Sequence, residues 1–360
     1  MYSLLRSLLF RLDPETAHVL TLRLIRLAGQ LPPVRAFLRR LFAAPSRPVQ
    51  TFGLTFANPI GLAAGYDKDG LGWRGLSALG FGHIEVGTVT PRPQQGNPRP
   101  RLFRLVEERA VINRMGFPGK GAEFVARQLR PPGVLYPPGG RAVGRSSTAS
   151  ACLYPPGLVL GVNIGKNKDT PLEEAARDYL SLVQTFAPLA DYLAINVSSP
   201  NTVGLRRLQA RDTLQELLSV LAAQRQQEVP HLGRSVPLLV KLAPDLSDPE
   251  LDDALQAIQD TGMDGVIVAN TTIRREGVPS RWAAESGGLS GAPLRALSTQ
   301  MVHKSVARTQ GKLPVVGVGG VASARDAQEK LDAGACLVQL YTGLIYEGPA
   351  LVRRILQDLE

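Results

Sequence analysis

In 360 residues there are two cysteines, Cys152 and Cys336, and four histidines, His18, His83, His231 and His303. The cysteines stand too far apart for metal-ligand spacing, so neither a disulfide framework nor a cysteine metal site is expected, and a reducing cytosolic setting fits. No histidine closes an apolar run where a catalytic base would stand, which sets aside a metal centre and a Ser/His/Asp nucleophile. No stretch is long and apolar enough to cross a bilayer. The N-terminus does not read as a secretory leader, because Arg6 and Arg11 interrupt its leucines and no small-residue cleavage site follows. Acidic residues are scarce in one place. Residues 1–47 hold eight arginines against Asp13 and Glu15, leaving only +4 of the net +10 for the rest of the chain. The basicity is local, which argues against a general nucleic-acid surface.

What the sequence has in that basic segment is leucine at helical spacing. Leu4, Leu5, Leu8, Leu9 and Leu12 form one stripe. Asp13 is placed to cap a second helix over about 14–29, with Pro14 at its first position and Gly29 at its end, and a third covers about 33–42. Such helices suit either a cap on the main domain or amphipathic elements lying on an anionic membrane.

From residue 52 the pattern alternates. Eight short apolar runs (60–65, 83–89, 158–164, 192–198, 237–243, 265–271, 314–320 and 335–343) are separated by helical patterns at 71–80, 119–130, 171–187, 211–227, 248–262, 293–310 and 323–333. Runs apolar throughout are strands buried on both faces, and eight of them with intervening helices predict an α/β fold, a (β/α)8 TIM barrel behind an N-terminal helical extension. A doubly wound sheet would show a glycine-rich turn after the first strand, and Ala64-Gly65-Tyr66-Asp67-Lys68 is not one. The domain division expected is 1–47 and 48–360. A Pro/Gly/Ser-rich insertion at 131–157 reads as a mobile loop without chemistry.

A barrel keeps its chemistry at the C-terminal ends of its strands, and here every such end carries a polar group or a glycine turn. Gly317–Gly320, Tyr341-Thr342-Gly343 and the loop Gly287–Gly291 suit a phosphate site built from bare backbone N–H groups, although glycines also permit close packing. Lys68 and Lys241 stand at or within apolar strands. A carboxylate partner, Asp67 or Asp245, is one reading; a charge aimed at an anionic cofactor, such as a reduced flavin, is the other. Asn113, Asn196, Asn201 and Asn270 together match a flat ring with alternating C=O and N–H groups. The run Asn196-Val197-Ser198-Ser199-Pro200-Asn201 is the most pointed of these strand ends, and with no histidine near, Ser199 is the candidate base, passing its proton on through Thr202 or water.

The stretches 63–68, 85–91, 113–117, 161–167, 196–201, 241–245, 270–272, 287–291, 317–320 and 339–343 together resemble the class 2, quinone-dependent, membrane-associated dihydroorotate dehydrogenases. The resemblance covers the chain except for 131–157. It implies oxidation of dihydroorotate to orotate in pyrimidine synthesis, with FMN as hydride acceptor and a membrane quinone as final acceptor. It assigns FMN to Ala64, Gly65, Tyr66, Asp67, Lys68, Thr88, Asn163, Asn196, Lys241, Ala269, Gly291, Gly320, Tyr341 and Thr342. Substrate falls to Lys68, Asn113, Arg114, Met115, Gly116, Phe117, Asn196, Asn201, Asn270 and Thr271, with Ser199 removing the C5 proton. Class 1 relatives carry Cys in that place. The resemblance makes His18 and Arg104 the quinone contacts and residues 1–47 a docking extension on an anionic membrane. A monomer, peripheral on the cytoplasmic face of the cell membrane, is expected, with no metal and no nucleic acid. Two features depart from the pattern: Ala269 where Thr is expected, and the long insertion. Other FMN barrels, such as dihydrouridine synthases or fumarate- or NAD-linked relatives, would lack the Leu/Arg helices and use Cys as the acid/base residue. A non-catalytic basic protein has no need of converging asparagines and lysines.

Overall fold

The computed structural model describes residues 2–130, 157–276, 278 and 281–360; the insertion expected at 131–157 lies outside these except for Gly157. Eight strands close a parallel barrel: β1 (Ile60–Leu62), β2 (His83–Val89), β3 (Val159–Ile164), β4 (Tyr192–Asn196), β5 (Leu238–Leu242), β6 (Gly265–Val268), β7 (Val315–Val318) and β8 (Leu337–Leu340). Each pairs with its sequence neighbours, and β8 closes onto β1. All eight runs expected as strands are strands. They read as continuous apolar segments because both faces are covered. The outward face carries Ile84, Val86, Val162, Leu193, Ile195, Val240, Val266 and Val338 against the helices. The inward face carries Ala63, Val159, Ala194, Leu239, Ile267, Val316 and Leu337.

A hairpin, Val49–Thr51 with Leu54–Phe56, closes the N-terminal end of the barrel, and fully buried Phe56 packs edge-on to His83 there. A second antiparallel sheet lies at the opposite end: Leu102–Leu105 pairs with Ala110–Asn113, which pairs with Gly288–Gly291. Gly287–Gly291 was expected as a glycine loop; residues 288–291 are instead a strand of this sheet. The helical stretch expected over 71–80 is shorter, a turn at Trp73–Leu76 and a 3-10 turn at Ser77–Leu79, closed by Gly80 at positive φ.

Three helices precede the barrel: α1 (Tyr2–Leu9), α2 (Pro14–Gln30) and α3 (Pro32–Leu41). Asp13 caps α2 as expected, its carboxylate accepting from the Thr16 N–H at 2.9 Å with Pro14 in the first turn. The expected end at Gly29 is corrected, since the helix runs on through it. Gly29 serves packing instead: a Cβ there would stand 2.4 Å from the Gly75 nitrogen, and one on Gly75 would stand 2.1 Å from the Ile25 carbonyl oxygen. Two backbones therefore meet without side chains between them, and this contact holds α2 to the barrel. Glu15 adds an ion pair to Arg101 at 2.7 Å, while α1 is held by Tyr2 Oη donating to the Ile345 carbonyl at 2.7 Å and Arg6 to that of Tyr346 at 2.8 Å. No helix among the described residues is long and apolar enough to cross a membrane.

Gly75→Ala is expected to force α2 outward at a cost of about 1–3 kcal/mol, the range of an overpacked core position. The check is chemical denaturation of wild type and variant; an unchanged midpoint would contradict the contact.

Candidate active site

The cavity at the C-terminal end of the barrel is built from the inward parity of the strands. Glu85 on β2, Asn163 on β3, Tyr192 and Asn196 on β4, Lys241 on β5 and Gln339 on β8 all point into the barrel, above the apolar inner layer. Glu85 is fully buried. Its carboxylate accepts from Asn163 Nδ2 at 2.9 Å, from Tyr192 Oη at 3.0 Å and from Gln339 Nε2 at 2.8 Å, and it pairs with Lys241 Nζ at 3.5 Å. Burial and the Glu85 charge together hold the Tyr192 phenol well above its ordinary pKa. The carboxylates expected beside the lysines are elsewhere. Asp67 accepts from the Leu71 and Gly72 N–H groups, both at 2.8 Å, and Asp245 pairs with Arg206 at 2.8 Å. Lys68 Nζ donates to its own loop, at the Gly65 carbonyl (2.7 Å), and burial pushes its pKa down to about 8.

Over this floor lies a layer of amides. Asn196 Nδ2 donates to Thr88 Oγ1 at 2.9 Å and to Asn163 Oδ1 at 3.1 Å, and Thr88 Oγ1 donates to Asn163 Oδ1 at 2.5 Å. Asn270 Nδ2 donates to Ser198 Oγ at 3.0 Å, and Asn201 Nδ2 to Asn113 Oδ1 at 3.1 Å. Ser199 faces the cavity, its Oγ accepting from the Asn201 N–H at 3.2 Å. Thr202, three residues on, is buried with its hydroxyl unpaired among the described residues. Arg206 ties three site loops together: its guanidinium donates to the Ser198 carbonyl (3.1 Å) and the Thr271 carbonyl (3.0 Å) and pairs with Asp245.

Most of the expected residues line one cavity: Ala64, Gly65, Lys68, Thr88, Asn113, Met115, Gly116, Phe117, Asn196, Ser199, Asn201, Lys241, Ala269, Asn270, Thr271, Gly291, Gly320, Tyr341 and Thr342, with His18 at its rim. Others do not. Asn163 stands behind Thr88 and Asn196, and Asp67 turns to backbone. Tyr66 faces an adjoining groove under α2 and stacks edge-on with His18 at 5.1 Å. Arg114 turns away to pair with Glu285 and lie over the Phe103 ring, 4.6 Å from its centroid. Arg104 lies over Phe10 at 4.6 Å and donates to the Leu12 carbonyl, so it anchors the end of α1. Ala269 presents a methyl group, and its N–H is spent on the Val318 carbonyl at 3.0 Å. Burial, with the Lys68 charge, pushes His18 down to about 4, leaving a neutral imidazole near pH 7. Sequence reasoning did not single out Glu85, Gln339 or Arg206. An acid two residues after His83 in an otherwise apolar strand was the available signal for Glu85.

The cavity has two ends. One gathers lysines and amides. The other is walled by Gly291, Gly319, Gly320, Thr342 and Gly343 and contributes no charged side chain. An elongated ligand with a flat polar ring at one end and an anion at the other fits this division. A closed parallel barrel with converging polar groups at its C-terminal mouth defines an enzyme of the (β/α)8-barrel class. Comparison with known proteins narrows that class. The dihydroorotate dehydrogenase family model matches residues 47–360. The quinone-type dihydroorotate dehydrogenase of Azotobacter vinelandii is 48% identical over 360 residues, all of this chain and 96% of that protein. That of an Anaeromyxobacter species (strain Fw109-5) is 50% identical over 352 residues, 98% of this chain and 90% of its own. A crystal structure of Eimeria tenella DHODH in complex with ferulenol superposes with a TM-score of 0.84 at 38% identity, covering 96% of this chain and 90% of that one. The chain belongs to the dihydroorotate dehydrogenase family, whose members are flavin-dependent oxidoreductases.

Removing the Glu85 carboxylate would strand a buried lysine and three buried donors. Glu85→Ala is expected to cost about 3–5 kcal/mol, as breaking a buried ion pair does. Denaturant titration reads this directly, and a loss below about 1 kcal/mol would contradict the network.

Proposed function

We propose that the protein oxidises (S)-dihydroorotate to orotate in pyrimidine synthesis, with FMN as hydride acceptor and a membrane quinone as final acceptor. The observation that carries this reading is the two-ended cavity, with Ser199 standing among four asparagines. The residues fit FMN. Lys241, Lys68, Thr88 and Asn196 suit the polar edge of an isoalloxazine ring, and the glycine-walled recess with Thr342 suits a phosphate. Ala64, Gly65, Tyr341, Ala269, Gly291 and Gly320 are assigned to the same group. When bound, FMN supplies a two-electron acceptor for the hydride that leaves C6 of the substrate.

The other steps belong to the chain's own residues. Asn113, Asn201, Asn270 and Thr271 hold the pyrimidine ring, and each buried amide left unpaired by a wrong ring would cost about 1–3 kcal/mol. Met115, Gly116 and Phe117 wall the ring. Lys68 supplies positive charge to the substrate carboxylate. Ser199 takes the C5 proton and passes it through a water to Thr202, whose unpaired hydroxyl supports this route. Asn163, Asp67 and Tyr66 act from behind the wall, and Arg114 by holding the Met115 loop to Glu285.

Quinone access and membrane docking are assigned to residues 1–47, with residues 48–360 as the catalytic domain. Among the described residues, twelve of the sixteen exposed large hydrophobic side chains fall in the first 41 positions. α1 and α3 bury no residue, and α2 buries only Gly29. A cap on the barrel would bury its leucine stripe, so the membrane reading is the better supported. Leucines flanked by arginines suit the apolar–anionic boundary of a lipid surface, and the protein would lie peripherally there. His18 at the cavity rim suits a quinone oxygen, with its neutral imidazole. Arg104 serves that site by anchoring α1.

Ser199→Ala is expected to leave FMN bound but slow its bleaching by dihydroorotate by about 10²–10⁴-fold, the usual worth of a positioned base. Anaerobic stopped-flow mixing measures it; near-normal bleaching would refute the assignment. For the membrane, burying a leucine contributes about 1.5–3 kcal/mol, so the Leu4→Glu, Leu8→Glu double variant is expected to bind anionic vesicles roughly 100-fold more weakly. Co-sedimentation tests this, with bleaching by dihydroorotate expected to be unchanged.

A further inference from the structure

Lys330 is a buried charge that none of the assignments above uses. It lies on the helix Ala324–Asp332 with no exposed surface, and no carboxylate among the described residues is within ion-pair distance of it. Its Nζ donates to Ser298 Oγ at 2.6 Å and to Thr299 Oγ1 at 3.0 Å. A buried lysine satisfied only by hydroxyls is costly unless an anion uses its charge.

Its surroundings point to that anion. A Cβ on Gly317 would stand 3.0 Å from the lysine's Cδ, and one on Gly319, where φ is +125°, 3.0 Å from Ser298 Oγ. The Gly317–Gly320 loop is thus stripped of side chains on the face that receives Lys330 and Ser298. The Ser298 hydroxyl reaches the Gly319 carbonyl at 3.0 Å and the Arg295 carbonyl at 3.1 Å. With Lys330 donating to that oxygen, its single proton is committed to these carbonyls. In a trans peptide the C=O and N–H point opposite ways, so holding the Gly319 carbonyl back against Ser298 aims the Gly320 N–H forward. Gly319 and Gly320 line the glycine-walled end of the cavity. The cationic side chains lining the cavity are Lys68 and Lys241, both at the ring end. Arg295 lies near, but its guanidinium is paired with Asp326 at 2.5 Å.

We propose that Lys330 is a positioning residue for the flavin phosphate. Acting from behind the glycine loop, it supplies that end of the cavity with the positive charge its lining lacks, and through Ser298 it fixes the peptide that donates to the anion. The assignment rests on the FMN reading above. The charged groups facing Lys330 are Asp326 and Glu329 on its own helix and Arg295 on the neighbouring one. Burial outweighs them and pushes its pKa down to about 8.

The test compares FMN with riboflavin, which differ only by the phosphate, as ligands of the flavin-stripped full-length protein. Wild type is expected to prefer FMN. Lys330→Met is expected to lose about tenfold or more in FMN affinity, the worth of a charge-assisted contact, with riboflavin affinity unchanged within about threefold. A merely structural role would weaken both flavins equally, and that result, or a preference kept in full, would overturn the assignment. The wild type gives a second measurement if the variant does not fold. The phosphate is fully ionised above pH 7, its second pKa being about 6. A bound phosphate favours the charged lysine, so FMN binding takes up a proton and the preference is expected to shrink as pH rises past about 8. Lys68 also titrates near 8, but it stands at the ring end shared by both flavins and cancels in the ratio. A preference flat from pH 7 to 9.5 would overturn the lysine's role. Wild type that binds both flavins alike would overturn the FMN reading itself, and this assignment with it.

Discussion

The upper barrel depends on one carboxylate. Glu85 sits where eight strands bring their inward side chains together, and it is the acceptor for donors from three other strands and the counter-ion of Lys241 on a fourth. A charge with no exposed surface is tolerable only when so surrounded. The requirement runs outward. Asn163 is oriented by donating to Glu85, so its carbonyl faces up and accepts from both Thr88 and Asn196. The cavity-lining Thr88 and Asn196 are therefore aligned by a group that does not line the cavity. The amides are preorganised because they are already hydrogen-bonded to one another and to neighbouring hydroxyls.

The two ends of the cavity solve different problems with different means. At the ring end, recognition needs direction, so it uses side chains on rigid strands. At the glycine-walled end the lining is backbone, and any side chain would obstruct it. No charged side chain lines that end, while Lys68 and Lys241 stand in the cavity lining at the other. Three strand-end loops, two of which carry Asn201 and Asn270, have a common tie in Arg206, which holds the Ser198 and Thr271 carbonyls and Asp245 at once.

The barrel was legible because burial on both faces leaves strands with no polar alternation, and eight such runs leave few alternatives. What escaped was the three-stranded sheet over the barrel mouth. Gly288–Gly291 pairs with residues some 175 positions earlier, and a glycine-rich tetrad carries no strand signal of its own. The carboxylates weighed as lysine partners, Asp67 and Asp245, are not those partners. Asp67 and Asp245 are near in sequence, but both stand in turns beyond their strands and are taken up by backbone N–H groups and by Arg206, and the partner of Lys241 comes from across the barrel. Strand parity, counted from His83, singles out Glu85. The last helix, Leu351–Asp358, buries Leu351, Val352, Ile355 and Leu356, a helical period readable in the sequence.

The N-terminal helices obey an inverted rule. Elsewhere in the chain apolar periodicity marks what is buried; in α1 and α3 it marks what is left out. They are held to the barrel by the Gly29–Gly75 approach, by Leu22 and Ile25 packed against the core, by the edge-on contact of Phe10 with Tyr346, by the ion pair of Glu15 with Arg101, and by the hydrogen bonds from Tyr2 and Arg6. That attachment uses Leu22 and Ile25 but leaves Leu4, Leu5, Leu8, Leu12, Leu20, Leu24 and Leu27 exposed. Folding would ordinarily bury such a stripe, because each exposed leucine forgoes about 1.5–3 kcal/mol. This surface keeps a dozen large apolar side chains exposed, nine of them leucines interleaved with arginine, which is the observation that supports the proposed lipid contact, and His18 of the same segment lines the cavity.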